Sequence, residues 1–326
     1  MDAVGLAGAQ HVKRSFKMNP PVWIAYGLLI VLFIVTVAIS PEFAHLGPIG
    51  TLAAQASFLG IAALGQTFVI ISGGVDLSIA AVMSAAAVLS ATLSDGQNSA
   101  LWWVVPLCFA IGILVGLING IGVALGVSPI IMTLGTQGVV FGAVLLYTQG
   151  QAGYAPPSNI IWLATHKWGP IPVSVVLWIV LGILGGFLLR RTIYGRELYA
   201  VGTQPTVAHF SGVNLPAVQI TSYVISATCA VIAGFAIGGY ANQTYLTIGD
   251  PYLFTSVAAV VVGGASILGG KGIYAGTVAG AAILTLLTNL LDILSLKQGA
   301  LGMIYGAVIL GTVAIATRRS VWPVAR

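Results

Sequence analysis

The side chains in this 326-residue sequence that could do chemistry are mostly neutral. Amides and hydroxyls recur inside long apolar runs: Gln55, Gln66 and Thr67 in one, Asn119 in another, Thr133, Thr136 and Gln137 in a third, and Asn289 in a fourth. Such groups exchange hydrogen bonds without carrying charge, so as a set they suit the passage of a hydroxyl-rich solute. Taken one at a time, each reads first as a tie between apolar helices, worth about 1 kcal/mol. The acids Glu42, Asp76 and Asp292 fall near the ends of apolar runs, and no Asp, Glu, Lys, Arg or His stands in the middle of one. That pattern argues against an internal proton relay and against a charged substrate held by a counter-ion in the membrane.

Catalytic constellations are missing. His11, His45, His166 and His209 stand apart, so no pair has zinc-ligand spacing. The charged inventory supplies no nucleophile with a base. The stretch Gly264 to Gly272 looks like a phosphate loop, but its spacing differs and Gly272 stands where Ser or Thr should hold magnesium. Cys108 and Cys229 each sit inside an apolar run and read as small hydrophobes.

The elements that position these groups follow from composition. Hydrophobic residues make up 58% of the chain and charged residues 6%, against roughly 25% charged in soluble domains. So few charges cannot cover a soluble surface, whereas a bilayer accepts apolar side chains on helices that satisfy their own backbone. The fold class is therefore an all-α integral membrane protein, a polytopic bundle of about ten transmembrane helices. Apolar runs near 22–40, 50–71, 77–93, 100–125, 129–148, 171–189, 217–240, 253–268, 273–293 and 300–316 are the expected spans. The first is too long for a signal-peptide core and is read as retained. This divides the chain into a cytoplasmic tail at 1–21, a transmembrane domain at 22–317 and a cytoplasmic tail at 318–326.

Charge sets the orientation. With the N-terminus inside, ten basic residues (Lys13, Arg14, Lys17, Arg190, Arg191, Arg196, Lys271, Arg318, Arg319, Arg326) face the cytoplasm and two, Lys167 and Lys297, face outward. This is the positive-inside bias, and it places both termini in the cytoplasm. The net charge of +5 is thus explained by topology, with no nucleic-acid partner implied. Only the outer connection 149–170 and the inner connection 190–216 have room for a docking surface. Glycines at i, i+4 spacing, Gly112/Gly116/Gly120, Gly234/Gly238, Gly276/Gly280 and Gly302/Gly306, predict close helix packing within the bundle.

Four segments carry a family resemblance. Ala63 to Ser78 (Ala-Leu-Gly-Gln-Thr-Phe-Val-Ile-Ile-Ser-Gly-Gly-Val-Asp-Leu-Ser) closely resembles the signature of the ribose/xylose/galactoside permeases of bacterial ATP-binding-cassette importers, with Gly73, Gly74, Asp76 and Ser78 at its centre. Pro129 to Thr136, Gly195 to Gly212 and Ala258 to Gly272 match in the same order. The sequence departs from the pattern at Asp250 to Ser256, where the family commonly carries a Glu-Leu-Asp-like stretch.

The resemblance implies a permease of the bacterial inner membrane that forms the pathway for a small neutral solute, with a monosaccharide as the expected cargo. It implies a dimer with a second copy or a paralogue, a periplasmic sugar-binding protein, and a cytoplasmic ATPase subunit that carries ATP and magnesium. This chain is then a transport subunit, not an enzyme, and binds no cofactor itself. The loop 190–216 would dock the ATPase through Gly195, Arg196, Glu197, Tyr199, Gly202 and His209. Gln55, Gln66, Asn119, Thr133, Thr136 and Asn289 are the expected pathway residues, Gln66 and Asn119 foremost. The alternative class is a secondary carrier, ion-coupled or facilitative. Such carriers usually show intramembrane ionisable groups or an inverted repeat, and neither is evident.

Overall fold

The computed structural model describes residues 20–151 and 153–294 together with Met303 and Gly306. The expected tenth span at 300–316, Lys297 and nearly all of both tails lie outside the described residues, apart from those two positions and the start of the first helix. Twelve α-helices follow in order: α1 Pro20–Ile39, α2 Leu46–Ile71, α3 Ile79–Thr92, α4 Leu101–Ala124, α5 Pro129–Thr148, α6 Ser158–Thr165, α7 Val173–Arg191, α8 Ile193–Thr203, α9 Pro205–Phe210, α10 Leu215–Ala241, α11 Tyr252–Val262 and α12 Tyr274–Ile293. A two-stranded antiparallel hairpin, β1 Lys167–Trp168 with β2 Ile171–Pro172, is the one sheet among the described residues.

Seven of the helices, α1, α2, α4, α5, α7, α10 and α12, are long and apolar enough to cross a membrane. Two expected spans are shorter than the sequence suggested. α3 has 14 residues and α11 has 11, about 21 and 17 Å of rise against a hydrocarbon core of about 30 Å. Glycine adjoins both elements. Gly73 (φ +91°) lies between α2 and α3, and Gly264 (φ +92°) follows α11. α3 therefore starts from an irregular elbow at 72–78, and α11 hands over to one at 263–273.

α2 is the axis of the molecule. Of its most apolar 18-residue stretch 94% is buried, against 17% for α1. Phe58, Ile61, Phe68 and Ile71 are buried in its wall, with α10, α12, α11 and α7 packed around it. The outer helices turn Ile24, Ile34, Leu146, Ile183 and Leu184 outward, the surface that lipid covers in a bilayer.

The glycine spacings are read correctly where they are described. A β-carbon on Gly116 or Gly120 of α4 would fall into the backbone of α10 at Tyr223, Val224 and Ile220. One on Gly234 would meet the carbonyl of Met83 in α3, and those on Gly276 and Gly280 the carbonyls of Gly263 and Ala259. Glycine is required here by approach and not by dihedral freedom. The connection between α5 and α7 is tied down by polar contacts. Asn98 Nδ2 donates to Ser158 Oγ at 2.7 Å, the Asn159 amide donates to Asn98 Oδ1 at 2.9 Å, and Tyr154 bridges Thr244.

A side chain at the α4–α10 seam should separate the two helices. Gly120→Leu is expected to cost roughly 1–3 kcal/mol by overpacking, read as a lower midpoint of thermal aggregation in detergent. The exposed Gly138→Leu, which meets nothing within 4 Å, should leave that midpoint unchanged.

Candidate functional site

Three groups of polar residues stand out, one at the α2–α3 elbow, one between α2, α10 and α12 and one on α8 and α9.

At the elbow the chain leaves α2 at Ser72, turns at Gly73 and passes Gly74 directly under the hydroxyl of Tyr223, where any β-carbon would collide. It then folds back to the level of Gln66. Gln66, wholly buried, pairs with the Asp76 backbone when its amide is oriented to satisfy both groups, donating to the carbonyl at 3.1 Å and accepting from the N–H at 3.2 Å. The Asp76 carboxylate is 1% exposed. It accepts from the Ser78 amide at 2.9 Å, Ser78 Oγ at 2.6 Å and, across to α10, Ser226 Oγ at 2.7 Å. Asn119 Nδ2 donates to Ser78 Oγ at 2.9 Å, and Thr136 Oγ1 donates to Asn119 Oδ1 at 2.6 Å. Thr133 is buried beside them and donates to the Pro129 carbonyl at 2.8 Å.

Asp76 does lie beside a helix end, three residues before α3, but it is buried inside the bundle and not at its surface. The physical reason is the short α3: the elbow re-enters, and three donors at a helix N-terminus hold the carboxylate, where the helix dipole also favours it. Gln66, Asn119, Thr133 and Thr136 all lie in or beside this sealed network, and in this conformation each is bonded to protein. The signature residues Gly73, Gly74, Asp76 and Ser78 build the turn itself.

Gln55 and Asn289 form a separate group. Asn289 Nδ2 of α12 donates to Gln55 Oε1 of α2 at 2.8 Å, and Gln55 Nε2 lies 3.5 Å from the Tyr240 hydroxyl at the end of α10. The Tyr240 ring packs on Phe58 at 5.2 Å between centroids. Gln55, Tyr240 and Asn289 are only half-buried. Uncharged amides beside an aromatic ring can hydrogen-bond hydroxyls and pack a sugar's apolar face.

The expected docking residues divide into two faces. α8 is capped by Thr192, whose Oγ1 accepts from the Gly195 amide at 3.2 Å. Gly195 is pressed on the carbonyls of Leu188 and Leu189, Leu198 and Val201 are fully buried, and Tyr199 donates to the Gly272 carbonyl at 2.6 Å. Burial raises the Tyr199 hydroxyl above the usual tyrosine pKa, with the nearby Arg190 opposing. Gly195, Tyr199 and Gly202 thus face the bundle. Arg196 and His209 face outward, and Glu197 is half-buried.

Beside His209 stand Val207, 58% exposed, and Phe210, 84% exposed. The sequence reading did not single these two out. Their signal was present in a short helix opened by Pro205, with apolar residues displayed on a segment that carries no span.

Residues 49–314 match the family model described as branched-chain amino acid transport system / permease component. The chain is 31% identical to the ribose import permease protein of Haemophilus influenzae, over 83% of this chain and 85% of the relative. It is 31% identical to the L-arabinose transport system permease protein of Escherichia coli over 96% of each chain. It is 32% identical to the autoinducer 2 import system permease protein of Klebsiella pneumoniae over 90% of this chain and 86% of that one. No solved structure matches.

Removing the Asp76 carboxylate would strand its buried donors. Asp76→Ala is expected to cost about 1–3 kcal/mol for each unsatisfied group, measured as a fall in the thermal midpoint of the purified protein, with Ser226→Ala lowering it less.

Proposed function

Because this chain belongs to the branched-chain amino acid transport system / permease component family and is the membrane component of an ATP-binding-cassette importer, we propose that its cargo is a neutral monosaccharide or a similarly hydroxylated solute. The observation that carries this reading is the half-buried Gln55–Asn289 pair with Tyr240 beside it, a polar, uncharged and aromatic group between α2, α10 and α12. Relatives named for ribose and arabinose import support the same class. Gln66, Asn119, Thr133 and Thr136 would meet the solute only if the elbow network opened during transport.

The partners follow from the same reading. A periplasmic binding protein delivers the solute to the outer face, and a second copy or a paralogue completes the pathway. A cytoplasmic ATPase subunit, which carries ATP and magnesium, docks on the outward face of α8 and α9 through Arg196, Glu197, His209 and the exposed Phe210. An exposed aromatic on a segment outside the lipid suits a protein interface. The protein resides in the bacterial inner membrane with both termini and the 190–216 segment cytoplasmic and 149–170 periplasmic, a reading that the basic asymmetry supports.

Two measurements test this. In vesicles holding the complete importer, Gln55→Leu with Asn289→Leu is expected to lower uptake of radiolabelled ribose or arabinose, whichever the wild type carries, at least tenfold. Wild-type uptake by the double variant, or wild-type import of a sugar phosphate in preference to either sugar, would overturn the cargo reading. In a background free of Cys108 and Cys229, Ser158→Cys should react with an impermeant maleimide in intact cells and Thr206→Cys only after permeabilisation. The reverse pattern would overturn the orientation.

A further inference from the structure

Three backbone segments converge beneath α2. The first is the α2–α3 elbow at Ile71 to Gly73, the second the α11–α12 elbow at Gly269 to Gly272, and the third the C-terminal end of α8 at Tyr199 to Thr203. The two elbows are joined directly, since the Gly270 amide donates to the Ile71 carbonyl at 2.9 Å. α8 closes on both. A β-carbon on Gly202 would strike the Ile71 carbonyl and the Gly270 nitrogen, and one on Gly269 (φ +88°) would lie 2.8 Å from the Gly202 carbonyl and 2.9 Å from the Gly73 α-carbon. Gly270 (φ +69°) is pressed in turn on the backbone of Thr203. The Tyr199 hydroxyl adds its bond to the Gly272 carbonyl at 2.6 Å.

We propose that Tyr199 and Gly202 are positioning residues that make α8 a common seat for both elbows, so that one displacement of α8 moves the short helices α3 and α11 together. This rests on the reading of α8 as the ATPase contact and goes beyond it, since docking alone would not specify which helices respond.

The mechanical reason is the nature of the contact. Long side chains at an interface absorb a displacement by changing rotamer, whereas backbone packed on backbone leaves no soft torsion between the parts. α3 and α11 are the elements that adjoin the seated elbows directly. α8 does not depend on the junction for its own placement, because Leu198 and Val201 are fully buried and Thr192 caps its first turn. The Tyr199 hydroxyl can therefore be removed without dislodging the helix.

The experiment uses the complete importer in proteoliposomes with Tyr199→Phe, which keeps the ring and loses the bond, and with Gly202→Ala. For each, solute imported is measured per ATP hydrolysed. Lys271→Cys, in a cysteine-free background, reports movement of the α11–α12 elbow through its maleimide labelling rate with and without vanadate-trapped nucleotide. The expected result is that both variants retain the ATPase subunit on purification, import per ATP falls at least fivefold, and the nucleotide-dependent change in Lys271→Cys labelling is lost. A merely structural role would lower protein yield but leave that ratio and that change intact. Wild-type values of both in Tyr199→Phe and Gly202→Ala would overturn the proposal while leaving docking untouched. Docking fails separately if Phe210→Asp with Arg196→Glu still purifies with the ATPase subunit bound.

Discussion

The structure turns on one constraint, which is that a helix ending inside a bilayer must have its free backbone groups satisfied by protein. α3 and α11 are apolar but too short to cross, and each adjoins an irregular elbow. At the α2–α3 elbow the Asp76 carboxylate takes up the amide and hydroxyl of Ser78, the residue before α3, and reaches α10 through Ser226. The Gln66 amide then takes up the Asp76 backbone. At the α11–α12 elbow the Ser266 amide donates to the Lys271 carbonyl at 2.8 Å, and Gly270 pairs with Ile71. Irregular backbone at membrane depth persists only where such partners are built in.

From that constraint comes the division of polar residues. Each amide or hydroxyl used to satisfy an elbow is unavailable to a solute in the same conformation. Gln66, Asn119 and Thr136 are spent in this way, whereas Gln55 and Asn289 bond chiefly to each other and keep part of their surface open. Chemically similar residues thus do different work according to whether a backbone break lies beside them. A similar division holds on α8 and α9, where glycine lets α8 sit directly on both elbows while Arg196, His209 and Phe210 stay exposed.

Much of this was legible in the residues. Long apolar runs with sparse charge specify membrane helices because no other regular element hides its polar backbone within a single segment, and the seven long helices lie where the runs do. The glycine spacing announced close helix approach, since a missing β-carbon is the only route to backbone contact. The segment Ala63 to Ser78 identified the family before any geometry was available. The interruption of 190–216 near Gly202 and Pro205 was also legible, and the structure divides α8 from α9 at Gln204.

What the sequence by itself determined is therefore the class of protein, the positions of the seven long helices and the family, because these follow from local composition and short motifs. The lengths of α3 and α11, the burial of Asp76 and the two faces of α8 were decided only by tertiary structure. An apolar run continues past the end of a helix if the elbow beyond it is also buried, so hydropathy cannot see where α3 begins or α11 stops. Whether an acid near a run end meets water or three donors depends on residues as distant as Ser226, 150 positions along the chain. Those contacts exist only once the helices are packed.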